Sequence, residues 1–326
     1  MDRRTFVCSA SGALLVTAFP AVAQHSAKVY RIGVLSLTEF KKMTLGKALI
    51  ETLATRGYVL GQNIVIEERI AEGKVERLPV LAAELVQLKV DLIVAGPAVA
   101  IRAAHNATTK IPIVMAFSGD DPVKSGFVAS LARPGGNVTG VTAQARDLAP
   151  KCMELLRDAV PGITRVAVLT NSLRPEHVEY VKMMQAGRPH GLQLQPVEAG
   201  GPDQYQSAFA AMTKEHADAV IILGDVMFTR DSGRLAELAV AHRLPSIYIF
   251  EEFVLAGGLL AYGPDEQQLL DLASQYIEKI LKGANPAELP VAQPTKFHLA
   301  INKKTARALG LTIPHPLLLR ATEVIQ

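Results

Sequence analysis

Apolar and polar positions alternate along this chain with two periods, one typical of β-strands and one typical of α-helices. The run VYRIGVLS (29–36) predicts a buried strand, and segment 43–56 places its apolar residues on one face of a helix. The same alternation continues through strand-like runs at 63–70, 90–96 and 111–117, and through helical segments around Leu81 and from Pro97 onward. Strands and helices that alternate with short links predict a parallel sheet covered on both faces.

The second half of the chain repeats this order. Its strand-like runs are 164–171, 192–199, 217–225 and 244–250, and its helical segments are 175–188, 203–216 and 229–243. Matching landmarks are Arg31 and Arg165, which lie 134 residues apart, Asp91 and Asp218, 127 apart, and Ile111 and Leu244, 133 apart. Three matches in order, at similar offsets, predict two lobes of like architecture.

The expected fold is therefore α/β, with two doubly wound parallel-sheet lobes joined by a three-segment hinge. Ligands of open parallel sheets bind beyond the carboxyl ends of the strands, where helix N-termini offer free N–H groups. Two such lobes facing each other would form a cleft lined from both sides. Candidate hinge segments are NVTGVTA (137–143), LLAYGPD (259–265) and the stretch near Asn285-Pro286.

The first 23 residues have the pattern of a signal peptide. A basic start, MDRR, precedes the apolar stretch ALLVTAFPAVA, and Ala21-Val22-Ala23 forms an A-x-A cleavage site. The apolar run is too short to span a bilayer. Arg3-Arg4 resembles a twin-arginine signal, and both that route and the general secretory route are compatible with the pattern. A periplasmic location is expected.

Composition narrows the function classes. The chain has 326 residues, 49% of them hydrophobic, which is ordinary for a globular protein, and this length predicts two domains. A net charge of +3 is too small and too evenly spread to predict binding to nucleic acid or to an anionic membrane. Of the two cysteines, Cys8 would leave with the signal peptide. Cys152 would then remain alone, in a helical pattern typical of a buried hydrophobic position.

Motifs of the common catalytic and cofactor sites are absent from the sequence. There is no G-x-S-x-G, G-x-x-x-x-G-K-[ST], H-E-x-x-H or C-x-x-C, and the eight histidines lack metal-ligand spacing. No catalytic residue, metal or cofactor is therefore expected.

Polar residues at strand ends are the remaining candidates for a site. They are Ser36, Thr38, Asp121, Asn171, Asp225 and Glu251, and the turn of Gly96, Pro97 and Ala98 joins them through its backbone. Residues 96–98 open a predicted helix, whose N–H groups suit a carboxylate. Asp225 and Glu251 would neutralise an ammonium group, and Phe117 or Phe228 would cover an apolar moiety. A zwitterion such as an amino acid fits this set, as do other small polar solutes.

Four longer runs carry a family resemblance. They are RGYVLGQNIVIEERIAEGKVERLPVLAAELVQLKVDLIVAGPAVAIRAAHNAT, IPIVMAFSGDDPVKSGFVASLARPGGNVTG, EEFVLAGGLLAYGPD and LPVAQPTKFHLAINKKTARALGLTIP. The chain resembles the ABC-transporter substrate-binding protein family that includes tryptophan- and tyrosine-binding members. The resemblance implies a type I periplasmic binding protein: two α/β lobes with three crossings that close on a solute, Venus-flytrap fashion, and deliver it to a membrane permease.

The resemblance also implies positions for ligand loops and lobes. The loops correspond to Ser36, 96–98, Asp121, Thr142 to Gln144, Asn171 and Asp225. The chain departs from the family in AGPAVA, which carries proline where a threonine-containing turn is common, and in GDVMF, which lacks the usual asparagine. Lobe 1 is expected to comprise 24–142 and 264–285, and lobe 2 to comprise 143–263 and 286–326, including the C-terminal strand and helix.

Three further interpretations differ in class from a monomeric transport receptor. A two-lobed racemase or isomerase would use carboxylates at 225 and 251 as acid and base, since the facing cysteines of such enzymes are missing. A periplasmic sensor would hand its bound state to a receptor kinase, and the sequence alone does not separate it from a transport protein. A transcription regulator would need an N-terminal DNA-binding unit, where this chain has an export signal.

Overall fold

A computed structural model describes residues 28–42, 44–119, 121–143, 148–189 and 191–326. The expected signal peptide, residues 1–23, lies outside these ranges. Within them, no helix combines the length and the apolar character that a membrane span requires.

Strands and helices alternate through both halves of the described chain. The strands are β1 Tyr30–Ser36, β2 Ile64–Ile70, β3 Leu92–Ala95, β4 Ile113–Ser118, β5 Val138–Thr142, β6 Arg165–Thr170, β7 Gln193–Glu198, β8 Ala219–Ile222, β9 Ser246–Tyr248, β10 Leu260–Pro264, β11 Phe297–Asn302 and β12 Glu323–Ile325. The helices are α1 Thr44–Thr55, α2 Leu78–Gln87, α3 Ala98–Ala107, α4 Ala149–Ala159, α5 Pro175–Gly187, α6 Tyr205–Lys214, α7 Val226–Arg230, α8 Ser232–Ala241, α9 Glu252–Leu255, α10 Glu266–Leu281, α11 Lys303–Ala308 and α12 His315–Arg320.

The first sheet has five parallel strands in the order β2-β1-β3-β4-β5. All four residues of β3 are buried, because helices cover both faces of the sheet. One face packs on α1 and α10, through Leu49, Leu53, Leu269 and Ile277 among others. The other face packs on α2 and α3. The predicted parallel α/β lobe is confirmed for this half.

The second sheet has seven strands in the order β12-β11-β10-β9-β8-β6-β7. Helices α4, α5, α11 and α12 contribute to the core on one of its faces. Helices α6, α8 and α9 contribute to the core on the other face, where Tyr205 and Phe209 are fully buried. The two-lobed α/β architecture that the repeated pattern predicted is therefore present.

An aspartate in each lobe makes the duplication visible at atomic detail. The Arg31 backbone N–H donates to Asp91 Oδ2 over 2.7 Å, and the Arg165 N–H donates to Asp218 Oδ2 over 2.8 Å. Each aspartate also donates its own N–H to the carbonyl of the same arginine, over 2.8 Å in both lobes. Equivalent residues thus fasten the start of the first strand to the next strand in each sheet.

The chain crosses between the lobes three times. The first crossing joins β5 to α4, the second joins β10 to α10, and the third joins residue 292 to β11. The third crossing was expected near Asn285-Pro286, and we propose instead that it follows residue 292. Thr139 Oγ1 donates to the Leu289 carbonyl over 2.7 Å, and the Ala292 N–H donates to the Gly140 carbonyl over 2.8 Å. Pro286 indicated the end of α10, but the residues that follow it still run along β5.

One strand pairing departs from the expected parallel arrangement. Strand β10 pairs in parallel with β9 but antiparallel with β11, with Pro264 opposite Phe297. The reason lies in the crossings: β10 leaves the second lobe at the hinge, and β11 enters it there, so the two strands run in opposite directions. We propose that lobe 1 comprises 28–142 with 265–292, and lobe 2 comprises 148–264 with 297–325.

Candidate functional site

A cavity of about 510 Å³ lies between the two lobes, at the carboxyl ends of their strands. Its size is suited to one small molecule. The first lobe contributes residues that follow β1 and β3, and the second lobe contributes residues that follow β6, β8 and β9. The cavity therefore occupies the cleft that two facing open sheets predict.

The wall from the first lobe is mostly apolar. Phe40 and Leu45 lie beyond β1, and Gly96-Pro97 connects β3 to α3. Ser36 contributes a hydroxyl at this wall, which donates to the backbone carbonyl of Thr38 and thereby shapes the loop after β1. Such a wall favours an aromatic or aliphatic group of a ligand.

Gly96 is required by the backbone packing beside the cavity. A Cβ at this position would lie 2.1 Å from the carbonyl oxygen of Ala116 in β4. The chain can therefore pass between β4 and the cavity only with glycine at 96. This close approach brings the start of α3 against the cleft.

The wall from the second lobe carries most of the charged groups, and Glu39 adds one from the first lobe. Asp225 caps α7, and its Oδ1 accepts the backbone N–H groups of Met227 and Phe228 at 2.8 and 3.4 Å. Its Oδ2 accepts from Asn171 Nδ2 at 3.2 Å and from Arg174 Nη1 at 3.5 Å. Both oxygens of this buried carboxylate are thus held by the protein itself. Asp225 belongs to a charged network and is not an isolated anion.

Arg174 is the buried cation of this network. It is 8% exposed, and its Nε donates to Glu176 Oε1 over 3.2 Å. Two carboxylates, Asp225 and Glu176, therefore flank this guanidinium, and a second guanidinium, that of Arg230, also lines the wall and pairs with Asp231. A guanidinium has five N–H donors in a planar fork, which is the geometry that recognises a carboxylate.

His177 and Tyr180 complete this wall from helix α5. His177 is 5% exposed, and its Nδ1 accepts the backbone N–H of Asn171 over 3.0 Å. This bond fixes the proton of the neutral ring on Nε2. The ring thereby connects α5 to the loop that presents Asn171 to Asp225.

The hinge side of the cavity contains Phe250 and Glu252. The Glu252 carboxyl faces that of Glu266, the first residue of α10. Burial, followed by the proximity of Glu252, raises the pKa of Glu266 to about 8. Glu252 of the cavity wall therefore lies beside a carboxyl, that of Glu266, whose pKa is raised above neutrality.

The structure brings five of the predicted site residues to the cavity wall, and these are Ser36, Thr38, Gly96, Pro97 and Asp225. Four others lie away from the wall. Ala98 begins α3, Thr142 is buried at the end of β5, Asn171 supports Asp225, and Asp121 accepts the N–H groups of Val123 and Lys124 within its own turn. Gln144 and the side chain of Phe117 lie outside the described part of the chain.

Two predicted residues are misplaced relative to the cavity. Phe228 is fully buried in the core of the second lobe, edge-on to Tyr205 at 6.0 Å between ring centroids, because the short helix α7 turns it inward. Glu251 points to the outer side of the hinge, where it contacts His298 and Glu323. The adjacent residues Phe250 and Glu252 face the cavity instead.

Several residues at the wall were not predicted. Arg174 stands between the end of β6 and Pro175, the first residue of α5, and a charged residue in that position is a signal that could have identified it. His177 lies one turn further along the same helix. Phe40 follows a strand end by four residues, and no pattern in the sequence distinguishes it from a core residue.

Metal binding has no support in this geometry. Among the described residues, no group of three or more His, Cys, Asp or Glu side chains is placed to hold a metal ion. Cys152 is buried in α4, and burial raises its pKa to about 12, so its thiol stays protonated.

Comparison with solved structures agrees with this architecture. The chain is 27% identical to a Streptococcus pneumoniae ABC domain solved in complex with L-Trp, with a TM-score of 0.81 over 91% of this chain and 100% of that one. It is 26% identical to a conserved domain protein from Vibrio cholerae, with a TM-score of 0.82 and the same coverage. The two-lobed fold is that of type I periplasmic binding proteins.

Sequence comparison agrees as well. The chain is 26% identical to a tyrosine-binding protein of Clostridioides difficile over 288 residues, which cover 88% of this chain and 82% of that protein. The family model of ABC transporter substrate binding proteins matches residues 31–325. The chain thus belongs to the ABC transporter substrate binding protein family.

Proposed function

We propose that this protein is an exported receptor that captures an amino acid, preferably an aromatic one, in the cleft by hinge closure. It then delivers the solute to an inner-membrane ABC permease. The observation that supports this proposal most directly is the cavity of about 510 Å³, whose walls come from both lobes. A ligand in that position contacts both lobes at once, so its binding energy favours their approach.

The chemistry of the two walls supports an amphipathic zwitterion. Phe40 and Leu45 would cover the apolar side chain, and Arg174 would bind the carboxylate. The ammonium group would lie near Glu176 and Asp225, the two carboxylates that flank Arg174. Ser36, Thr38 and the Gly96-Pro97 backbone would complete the contacts from the first lobe.

The relatives support the same ligand class. The Clostridioides difficile relative is named for tyrosine binding, and the Streptococcus pneumoniae structure was solved with L-Trp. The loops that would select between these side chains include the two positions at which the chain departs from the family pattern, Pro97 and Val226. The proposal therefore covers aromatic amino acids as a class.

The first test is mass spectrometry of the small molecule released by denaturing the purified protein, followed by thermal unfolding with L-Trp, L-Tyr and their D-enantiomers. A ligand at one hundred times its dissociation constant adds about 2.7 kcal/mol to the free energy of unfolding. An L-amino acid should raise the melting temperature more than its enantiomer, because the charged network fixes the α-carbon substituents. No shift with any amino acid would refute the proposed ligand class.

Transport and location need tests in cells. The proposed protein is a periplasmic monomer that works with the permease and binds no nucleic acid. Cell fractionation should recover it without residues 1–23, size-exclusion chromatography should show one copy, and its deletion should abolish uptake of the co-purified solute. Uptake that persists while a receptor-kinase response is lost would instead indicate a sensor.

Racemisation is not proposed, because Glu251, one of the two expected catalytic carboxylates, faces away from the cavity.

A further inference from the structure

A histidine at the cavity wall holds the turn at residues 171–174, which connects β6 to α5. His177 lies in the first turn of α5, and its Nδ1 accepts the backbone N–H of Asn171 over 3.0 Å. Both residues are buried, with exposed fractions of 5% for His177 and 6% for Asn171. Water is therefore a poor substitute for the imidazole as the acceptor of this N–H group.

The turn presents two groups of the charged network. Asn171 Oδ1 accepts the Leu173 N–H over 2.9 Å, and the Asn171 carbonyl accepts the Arg174 N–H over 3.0 Å. From this turn, Asn171 Nδ2 and Arg174 Nη1 both donate to Asp225 Oδ2. The bond with His177 at the start of the turn thus helps to fix the groups that hold Asp225.

Only the neutral imidazole can make the bond with Asn171. A neutral ring carries one proton, so Nδ1 accepts a hydrogen bond when that proton lies on Nε2. A protonated ring has an N–H at both nitrogens, and the new N–H would face the N–H of Asn171. The first turn of a helix also disfavours positive charge. The observed turn is therefore compatible with neutral His177 and not with the charged form.

The charged groups around His177 do not remove this conflict. Those that line the cavity with it come from the loop after β1, from α5 and the turn before it, from α7 and its cap, and from α9: Glu39, Arg174, Glu176, Tyr180, Asp225, Arg230 and Glu252. Helix α5 also packs on α4, β6 and β7, whose charged residues lie away from the cavity wall: Lys151, Glu154, Arg157, Asp158, Arg165 and Glu198. A nearby carboxylate lowers the cost of a charge on the ring, but it leaves two donors facing each other.

We propose that His177 is a positioning residue for the solute, and that its protonation releases the turn at residues 171–174 and weakens binding. The effect on binding rests on the proposed function, in which Arg174 and Asp225 meet the charges of the solute. The release of the turn is a property of the protein without ligand.

The direction of the pH effect follows from linkage. Histidine in water gains its second proton near about pH 6.5. His177 gains it only when the turn is released, so protons favour the released form below that pH. The ratio of held to released turn should fall about tenfold between pH 7.5 and pH 5.5, and it should change little above pH 7.5. Solute affinity should fall in the same direction, by at most the same factor.

Amide hydrogen exchange at residues 171–174 measures this ratio when each rate is divided by that of an unstructured peptide at the same pH. Protection in the ligand-free wild type should fall about tenfold from pH 7.5 to pH 5.5. His177→Asn places a carbonyl oxygen where Nδ1 stands and does not titrate, so its protection should be equal at both pH values. His177→Gln carries its amide at the position of Nε2, so its protection at pH 7.5 should be about tenfold below that of His177→Asn.

Two further variants serve as controls for other titrating groups. His242→Asn removes a histidine that contacts Gln206 and Thr213 outside the cavity wall. Glu266→Gln removes the carboxyl whose pKa burial and the nearby acidic groups raise to about 8. Both variants should keep the wild-type fall in protection. Equal protection of the wild-type turn at pH 7.5 and pH 5.5 would overturn the proposal.

Calorimetric titration with L-Trp and L-Tyr at pH 7.5 separates positioning from direct contact. His177→Asn should bind the amino acid more tightly than His177→Gln, because it retains the acceptor for Asn171. The opposite order would show that the Nε2 side of the ring contacts the solute, and this order or equal affinities would overturn the positioning role. If neither amino acid binds the wild type, the proposed ligand class is refuted, whereas the exchange experiment still decides whether His177 holds the turn.

Discussion

The groups that hold Asp225 come from two separate parts of the chain. Asn171 and Arg174 follow strand β6, and the N–H groups of Met227 and Phe228 come from helix α7. The sequence marked Asp225 as a polar residue at a strand end, which the structure places at the cavity. Its pairing with Arg174 could not be predicted, because 51 residues separate the two and only the parallel pairing of β6 with β8 brings them together.

Arg174→Met is expected to remove the buried cation and leave Asp225 and Glu176 without it. The free energy of unfolding should fall by about 3 kcal/mol, since a buried carboxylate then lacks its charged partner. Affinity for the co-purified solute should fall at least tenfold, by isothermal titration calorimetry. Arg320→Met is the matched control, because Arg320 pairs with Asp158 and Glu154 on the surface and should cost less than about 1 kcal/mol. Equal losses in the two variants would contradict a special role for Arg174.

Substitutions of Asp225 separate its two roles. Asparagine caps helices as well as aspartate does, so Asp225→Asn should retain the start of α7 but lose the negative charge. Asp225→Ala loses both the helix cap and the charge. Its free energy of unfolding, measured by urea titration, should be about 1 kcal/mol lower than that of Asp225→Asn. Solute affinity should fall by about 2 kcal/mol in both variants if the charge contacts an ammonium group. Full affinity in Asp225→Asn would exclude that contact.

At the scale of elements, the alternation of strands and helices was predictable because the pattern has a direct physical cause. Central strands such as β3 and β8 are buried on both faces and appear as unbroken apolar runs. Segment 137–143 was expected as part of the hinge, and most of it forms β5, the edge strand of the first sheet, just before the chain crosses. The antiparallel direction of β11 depends on where the chain crosses the hinge, and no local pattern records that.

Replacement by alanine should change the free energy of unfolding in opposite directions at Gly96 and Gly233. Gly96→Ala forces the β3–α3 connection away from the Ala116 carbonyl and should destabilise the protein by about 1–3 kcal/mol, with or without ligand. Gly233 lies in α8 with open space around its Cα, so Gly233→Ala should stabilise by about 0.5–1 kcal/mol. Urea unfolding measures both. A Gly96→Ala protein of wild-type stability would show that the connection can shift freely.

At the scale of the whole molecule, Gln268 joins two of the three crossings. It lies in the first turn of α10, and its Oε1 accepts the backbone N–H groups of Thr295 and Lys296 at 2.8 and 2.9 Å. Its Nε2 donates to Thr295 Oγ1 over 2.8 Å. The second and third crossings are therefore coupled and should move as one unit when the lobes rotate.

Gln268→Ala is expected to release the third crossing. The amides of Thr295 and Lys296 should exchange with deuterium about fivefold faster, because each loses a hydrogen bond that contributes about 1 kcal/mol. Gln267→Ala, one residue earlier, removes only a contact with Asp271 and serves as the control. If both variants accelerate exchange equally, the effect arises from the helix and the crossings are not joined through Gln268.

The path of the third crossing has a consequence for how the protein is made. The first lobe incorporates α10 and residues up to 292, and the second sheet needs β11 and β12, which follow the third crossing. Neither core can be completed during synthesis until residues beyond α10 have emerged. A chain truncated before residue 290 would therefore lack residues of both cores, so neither lobe would fold completely.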